Sequence, residues 1–219
     1  MTRTAKRRRY ESPLRADQAR LTSRAIVEAA AGLFSAKGYA AVSVDAIAEA
    51  AGVSRATVFT SVGGKPALLK EAFRLAFGRA AGAPDVSMPL VDRPRSRTVR
   101  AATTAPAYLT GYASLCTSLH SHMARVYEAI REGSHADPDV HALWLEVNAE
   151  RRRGAATIVA DVKARARLRA GLDEETAADV VWLLNDPVHF HMLVFVRGWP
   201  EEKFEKWLAR ALEAELLGS

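Results

Sequence analysis

A chain of 219 residues that is 49% apolar can build a hydrophobic core, which excludes a disordered chain; its single cysteine, Cys116, excludes an intrachain disulfide. No apolar run is long enough to span a bilayer, and Met1 to Arg9 lacks the apolar stretch of a signal peptide, so a cytoplasmic protein with no membrane partner is expected. Residues 1 to 80 hold 14 Lys/Arg against 6 Asp/Glu, a net of +8, while residues 81 to 219 carry a net of −2; the positive field sits at one end, as expected of a part that meets a polyanion.

Residues 1–16 contain Lys6-Arg7-Arg8-Arg9 and almost nothing apolar, and read as a flexible basic arm. From Asp17 to Lys37 the positions Ile26, Ala30, Leu33 and Phe34 fall at helical spacing, and Gly38 supplies a left-handed terminator. Ser43 is placed to cap a second helix with Val44, Ile47 and Ala48 inside, and Asp45 suits its positive end. After Gly52, Ser54 is placed to cap a third helix running to about Ser61. Gly63-Gly64 then breaks the chain, and Lys65-Pro66 opens a fourth helix over residues 65–81.

Between residues 82 and 106, Gly82, Pro84, Pro89, Pro94 and Pro106 are spread through a stretch with little sustained periodicity, so a loop or a short helix is expected. From Ala107 to Ile130, Tyr108, Tyr112, Leu115, Cys116, Leu119, Met123, Val126 and Tyr127 keep an unbroken helical period: one long helix, or two with a kink. Asp137-Pro138-Asp139 starts a helix to about Arg167. A further helix is expected over Glu174 to Val196, and a last one from Pro200 to Leu217, the two separated at Arg197-Gly198-Trp199. Strand-like alternation is nowhere sustained, and the fold class is all-α.

Residues 43–62 carry the functional signal. Two short helices meeting steeply need a small residue at the crossing, a glycine turn and apolar anchors for the second helix; Ile47, Ala48, Gly52, Val53 and Val58 provide them in order. With Val53 and Val58 inward, Arg55, Ala56, Thr57, Thr60 and Ser61 face outward. Their short or guanidinium-bearing side chains suit a major groove.

Ile26-Val27-Glu28-Ala29-Ala30, Leu33-Phe34, Gly38, Ile47-Ala48, Ala51-Gly52-Val53-Ser54, Thr57-Val58-Phe59 and Lys65-Pro66-Ala67-Leu68-Leu69 resemble, in type and spacing, the N-terminal signature of the TetR family of repressors. The resemblance covers about 45 residues and implies a helix-turn-helix over 17–64, a connecting helix over 65–81, and a C-terminal domain over 82–219 that dimerises and binds an effector. It places Thr22 and Ser43 as phosphate contacts at helix N-termini, Lys65 as another, and Arg55, Ala56, Thr57, Thr60 and Ser61 against the bases. Arg7, Arg8 and Arg9 are expected along the backbone or in a minor groove. The family commonly has Tyr where this chain has Phe59, and His-Phe where it has Ser61-Val62; Phe59 is expected to keep the packing and to forgo the phosphate hydrogen bond. Plain capping by Ser43 and Ser54, and a solvated Lys65, stand beside these assignments.

The implied partners are a palindromic DNA operator, a small-molecule effector and a second copy of the chain. Val181, Leu184, Val188, Phe195, Trp207 and Leu212 are candidates for the dimer interface, and some of them must face the protein's own core. Tyr108, Tyr112, Cys116, Trp144, Asn148, Trp182 and Asn185 are candidates for the pocket lining, with ordinary core as the alternative for each. His120 and His122, like His189 and His191, stand two apart on helices and point about 200° apart, so neither pair chelates a metal from one face. No nucleophile with a base and an orienting group appears; neither a cofactor nor catalysis is expected. The competing reading is an effector-independent DNA-organising protein held by charge with little sequence preference.

Overall fold

The computed structural model describes residues 13–80 and 94–218; Arg7, Arg8 and Arg9 lie outside them, as does much of the boundary after residue 81. Among the described residues there are helices and no strands. The first four are α1 (Pro13–Lys37), α2 (Val44–Ala50), α3 (Arg55–Ser61) and α4 (Lys65–Ala80). A short α5 (Pro94–Arg100) leads into α6 (Ala105–Gly133), which is continuous, and then α7 (Pro138–Lys163). The chain closes with α8 (Glu174–Leu184), α9 (Pro187–Phe190) running on into a π-helical segment over His191–Val196, and α10 (Glu201–Leu217).

The short helices near the N-terminus are held by caps as much as by propensity. Ser43 accepts from Ala46 N at 3.1 Å and Ser54 from Thr57 N at 3.1 Å, each satisfying an amide that a helix start leaves without a partner. Replacing both with alanine is expected to lower stability by about 1 kcal/mol per cap in urea unfolding. Losses within a few tenths of zero would mean that packing alone fixes α2 and α3.

Two cores lie along α6. The first joins Ile26, Phe34, Ile47, Val58, Leu68 and Leu69 of the N-terminal helices to Leu119, Met123, Tyr127 and Ile130 of α6 and Val140 of α7. The second joins Tyr108, Tyr112 and Cys116 of α6 to Val159, Val181, Phe190, Phe204, Leu208 and Leu212. The N-terminal helices therefore share their core with the C-terminal half of α6.

Three boundaries differ from expectation. α1 starts at Pro13 rather than Asp17, so Thr22 lies in its third turn and not at a helix N-terminus. α7 stops at Lys163, after which Arg165 donates to the carbonyl oxygens of Ala102 (2.8 Å) and Arg100 (2.6 Å) across the α5–α6 connection. The helix expected over Glu174 to Val196 is broken: Pro187 lacks an amide hydrogen to continue α8, and Asp186 caps the new start by accepting from Val188 N at 2.9 Å. Arg151 of α7 holds this break. Its guanidinium donates to the Trp182 and Asn185 carbonyls at 2.9 and 3.0 Å and pairs with the Asp186 carboxylate at 2.9 Å.

Candidate nucleic-acid interface and the cavity behind it

Helix α3 stands on Val58, which is fully buried, with Val53 partly buried before it. Arg55, Ala56, Thr60 and Ser61 are exposed and Thr57 half-buried, which leaves a compact outer face one helix wide. Several of its polar groups already have partners within the protein. Arg55 pairs with Asp45 of α2 at 2.6 Å, Thr57 Oγ1 lies 2.8 Å from Ser54 Oγ, and Thr60 Oγ1 donates to backbone oxygens of Ala56 and Thr57. The Arg55–Asp45 pair is solvent-exposed and hence weak, so a guanine can replace the carboxylate at small cost.

Phe59 departs from the expected packing. It is 46% exposed and carries the Arg55 guanidinium 5.5 Å from its ring centroid, so it belongs to the outer face rather than the core. Lys65 opens α4, yet its ammonium is turned inward, 4.1 Å from the centroid of the Tyr39 ring. Burial lowers its pKa there, against the pull of Asp137 and Glu132.

Tyr39 joins the N-terminal helices to the body, a role the sequence reading missed. Its amide and that of Ala40 donate to Glu132 at 3.0 and 3.3 Å, and its hydroxyl donates to Asp137 at 2.6 Å. The turn at Gly38, with φ +74°, brings these groups under the α6–α7 corner. Gly133 lets the ring in, since a Cβ there would lie 2.7 Å from Tyr39 Cδ1. The only sequence signal was an aromatic directly after a helix-ending glycine.

Behind this head a cavity of about 650 Å³ opens between α4, α5, α6 and α7. Its walls are mostly apolar, with Phe73 and Phe77 from α4, Val99 from α5, Leu115, Leu119 and Met123 from α6, and Leu143, Val147 and Ile158 from α7. Of the seven candidate pocket residues, Tyr108, Tyr112 and Asn185 line it. Cys116, Trp144, Asn148 and Trp182 do not. Cys116 is buried in the second core, where burial pushes its thiol up to about 12; Trp144 packs on Tyr127 at 5.2 Å, and Asn148 accepts from Arg151 at 2.8 Å. The Trp182 carbonyl is held by Arg151. His120, which sequence reasoning considered only as a metal ligand, lines the cavity and is buried, and burial together with the charges of Arg151 and His189 brings its pKa down to about 3. Among the described residues no three His, Cys, Asp or Glu side chains converge to hold a metal, and no helix is long and apolar enough to cross a membrane.

Residues 26–72, which span the second half of α1, α2, α3 and the first half of α4, match the model of bacterial regulatory proteins of the tetR family. This segment is therefore a tetR-family regulatory domain. Proteins of known structure share the fold over nine-tenths or more of the chain. A transcriptional regulator from Pseudomonas aeruginosa PAO1 superposes with a TM-score of 0.66 at 16% identity, covering 94% of this chain and 92% of its own. NalD, the secondary repressor of the MexAB-OprM multidrug efflux pump of Pseudomonas aeruginosa, gives 0.64 at 20% identity over 91% and 98%. A transcriptional regulator from Saccharomonospora viridis, solved with choline, gives 0.66 at 20% identity over 90% and 98%. No curated protein sequence matches the chain.

Proposed function

We propose that this TetR-family regulator is a cytoplasmic, dimeric repressor that leaves a palindromic operator when a small molecule fills the cavity. One observation carries the reading: α4 belongs to both sites. Leu68, Leu69 and Ala72 of α4 lie in the core shared with α1, α2 and α3 and pack chiefly on α1, which in turn carries α2 and α3, while Lys70, Phe73, Arg74 and Phe77 of the same helix form a cavity wall. An occupant that needs a different position of α4 therefore changes the setting of α3, and its differential affinity for the two settings is the coupling. The proposed division is an arm ahead of α1, which begins at Pro13 rather than after residue 16, then the reading head to residue 64, the connecting helix at 65–81 and the effector and dimer body at 82–219. NalD's description as a repressor accords with it.

A second copy is required because one recognition helix reads one half-site. Leu183, Met192 and Val196 are exposed together on α8 and the π-helical segment, with Leu184, Val188, Phe195 and Trp207 partly exposed beside them. Val181 and Leu212 are fully buried in the chain's own core and are no longer candidates for contact. On α3 the base-facing residues are Arg55, Ala56, Thr57, Thr60 and Ser61, with Phe59 at their edge. Ser43 remains a proposed phosphate contact, as does Thr22 from the side of α1; Lys65 reaches a phosphate only if its ammonium leaves the Tyr39 ring.

The test is fluorescence anisotropy on palindromes from the gene's own promoter, against unrelated duplexes at two salt concentrations. Two protomers are expected per site, and Arg55→Ala is expected to weaken the operator complex about thirtyfold, or about 2 kcal/mol, and unrelated DNA far less. Equal weakening on every sequence would favour the DNA-organising reading, and no binding to any palindrome at low salt would overturn the repressor.

A further inference from the structure

The lining of the cavity restricts its ligand by charge. Eight charged residues border it, and each has an opposite charge within the protein. Lys70 pairs with Glu146 at 2.6 Å, Arg74 with Glu71 at 2.9 Å, Arg100 with Asp161 at 2.9 Å and Arg151 with Asp186 at 2.9 Å; Arg153 pairs with Glu150. The pairs at the mouth are solvent-exposed, but Arg151, beside Asn185 and His120, is largely buried with Asp186. An ionic head group reaching that end would have to shed its water and find no unpaired counter-charge, against apolar walls.

Polar capacity is nevertheless left over. Among the buried side-chain atoms that make no hydrogen bond of good geometry are Ser96 Oγ, His120 Nδ1 and Asn185 Oδ1, and all three residues line this cavity; Asn185 lies close enough to favour a proton on His120, but the two do not satisfy each other. Buried groups of this kind are ordinarily paired, so three around one void mark where a partner is missing. Asn185 is held in place, because its amide nitrogen donates to the Tyr112 hydroxyl at 2.6 Å, leaving its oxygen as an acceptor. The imidazole of His120 is wedged against the rings of Phe190 and Phe204, with centroids 6.0 and 6.4 Å away. It is neutral at any ordinary pH.

Resting on the reading of this cavity as the effector site, we propose that its ligand is an uncharged, largely apolar molecule carrying a hydroxyl, which donates to Asn185 Oδ1 beside His120 while its hydrocarbon lies along Phe73, Leu119 and Met123. A hydroxyl suits the site because it both donates and accepts. A carboxylate brings no donor for Asn185 Oδ1, and an ammonium brings a charge that no free carboxylate meets.

The experiment titrates the full-length protein by calorimetry at pH 7.5 with four probes of one chain length: 1-decanol, its methyl ether, decanoate and decylammonium. Decanol is expected to bind at least tenfold more tightly than either ion and about tenfold more tightly than the ether, which lacks the donor. Asn185→Leu is expected to bring decanol down to the affinity of the ether; the ether comparison makes the same test on the unaltered protein if that variant does not fold. Either ion binding as tightly as decanol, an ether equal to the alcohol, or no binding by any probe would overturn the proposal. Operator release is read separately by anisotropy: decanol that binds without releasing DNA leaves the ligand class standing and removes the effector reading, whereas an ion that binds and releases DNA does the reverse.

Discussion

Arg151→Met is expected to lower the stability of the protein by about 3–5 kcal/mol, measured as a shift of the urea unfolding midpoint. The guanidinium is 12% exposed and the Asp186 carboxylate 17%, so the arginine's removal leaves a largely dehydrated charge without its partner. It also frees the carbonyls of Trp182 and Asn185 at the end of α8 and the oxygens of Tyr127 and Asn148. Methionine keeps much of the length of the side chain, so lost packing contributes little. Arg151→Met combined with Asp186→Asn is expected to recover a substantial part of the loss, since asparagine still caps α9 and no longer carries a charge. A single variant within 1 kcal/mol of the parent would mean that Pro187 and the surrounding core hold the break without the arginine.

That break also marks where sequence reading stopped. Helical periodicity carries no information about whether an interruption is bridged, and Val181, Leu184, Val188 and Phe195 keep the period across it. Pro187 after Asp186 was the local warning, the same pattern that was read correctly at Asp137-Pro138. The head was the most legible part because its determinants are local: a cap, a glycine turn and an apolar anchor within twenty residues, from Ser43 to Val62. Its connection to the body was not legible. Tyr39 and Asp137 are separated by 98 positions, and each had a sufficient local explanation, a residue after a helix end and a helix cap.

The cavity was legible in kind and less so in detail. Tyr108, Tyr112 and Asn185 line it, but so do Lys70, Phe73, Arg74 and Phe77 of α4, a helix expected only to connect the two parts and not proposed as a pocket wall. A helix shared between two sites has two apolar faces, and composition does not say which partner each one meets. His120 was weighed with His122 because the two are close in sequence. The fold places it instead beside Asn185 and Arg151, residues that lie far along the chain.

The stability of the protein is expected to fall by about 2–3 kcal/mol from this one histidine as the pH drops from 8 to 4.5. Unfolded, His120 takes up a proton near its ordinary value of 6.5; folded, it does so only near 3, because burial and the charges of Arg151 and His189 oppose it. Between these values the unfolded state binds the extra proton, so its contribution is complete above 6.5 and is lost as the pH falls towards 3, at about 1.4 kcal/mol per unit. His120→Leu retains the bulk and removes the proton site. Its stability, measured by urea unfolding at matched pH values, is expected to drop by that much less than the parent's over the same range. Parallel curves for the two proteins would place a charged imidazole in the folded state, with an anion or water at Nδ1. The same result would weaken the case for a neutral ligand, because a histidine that accepts a proton inside the cavity would accept a carboxylate beside it.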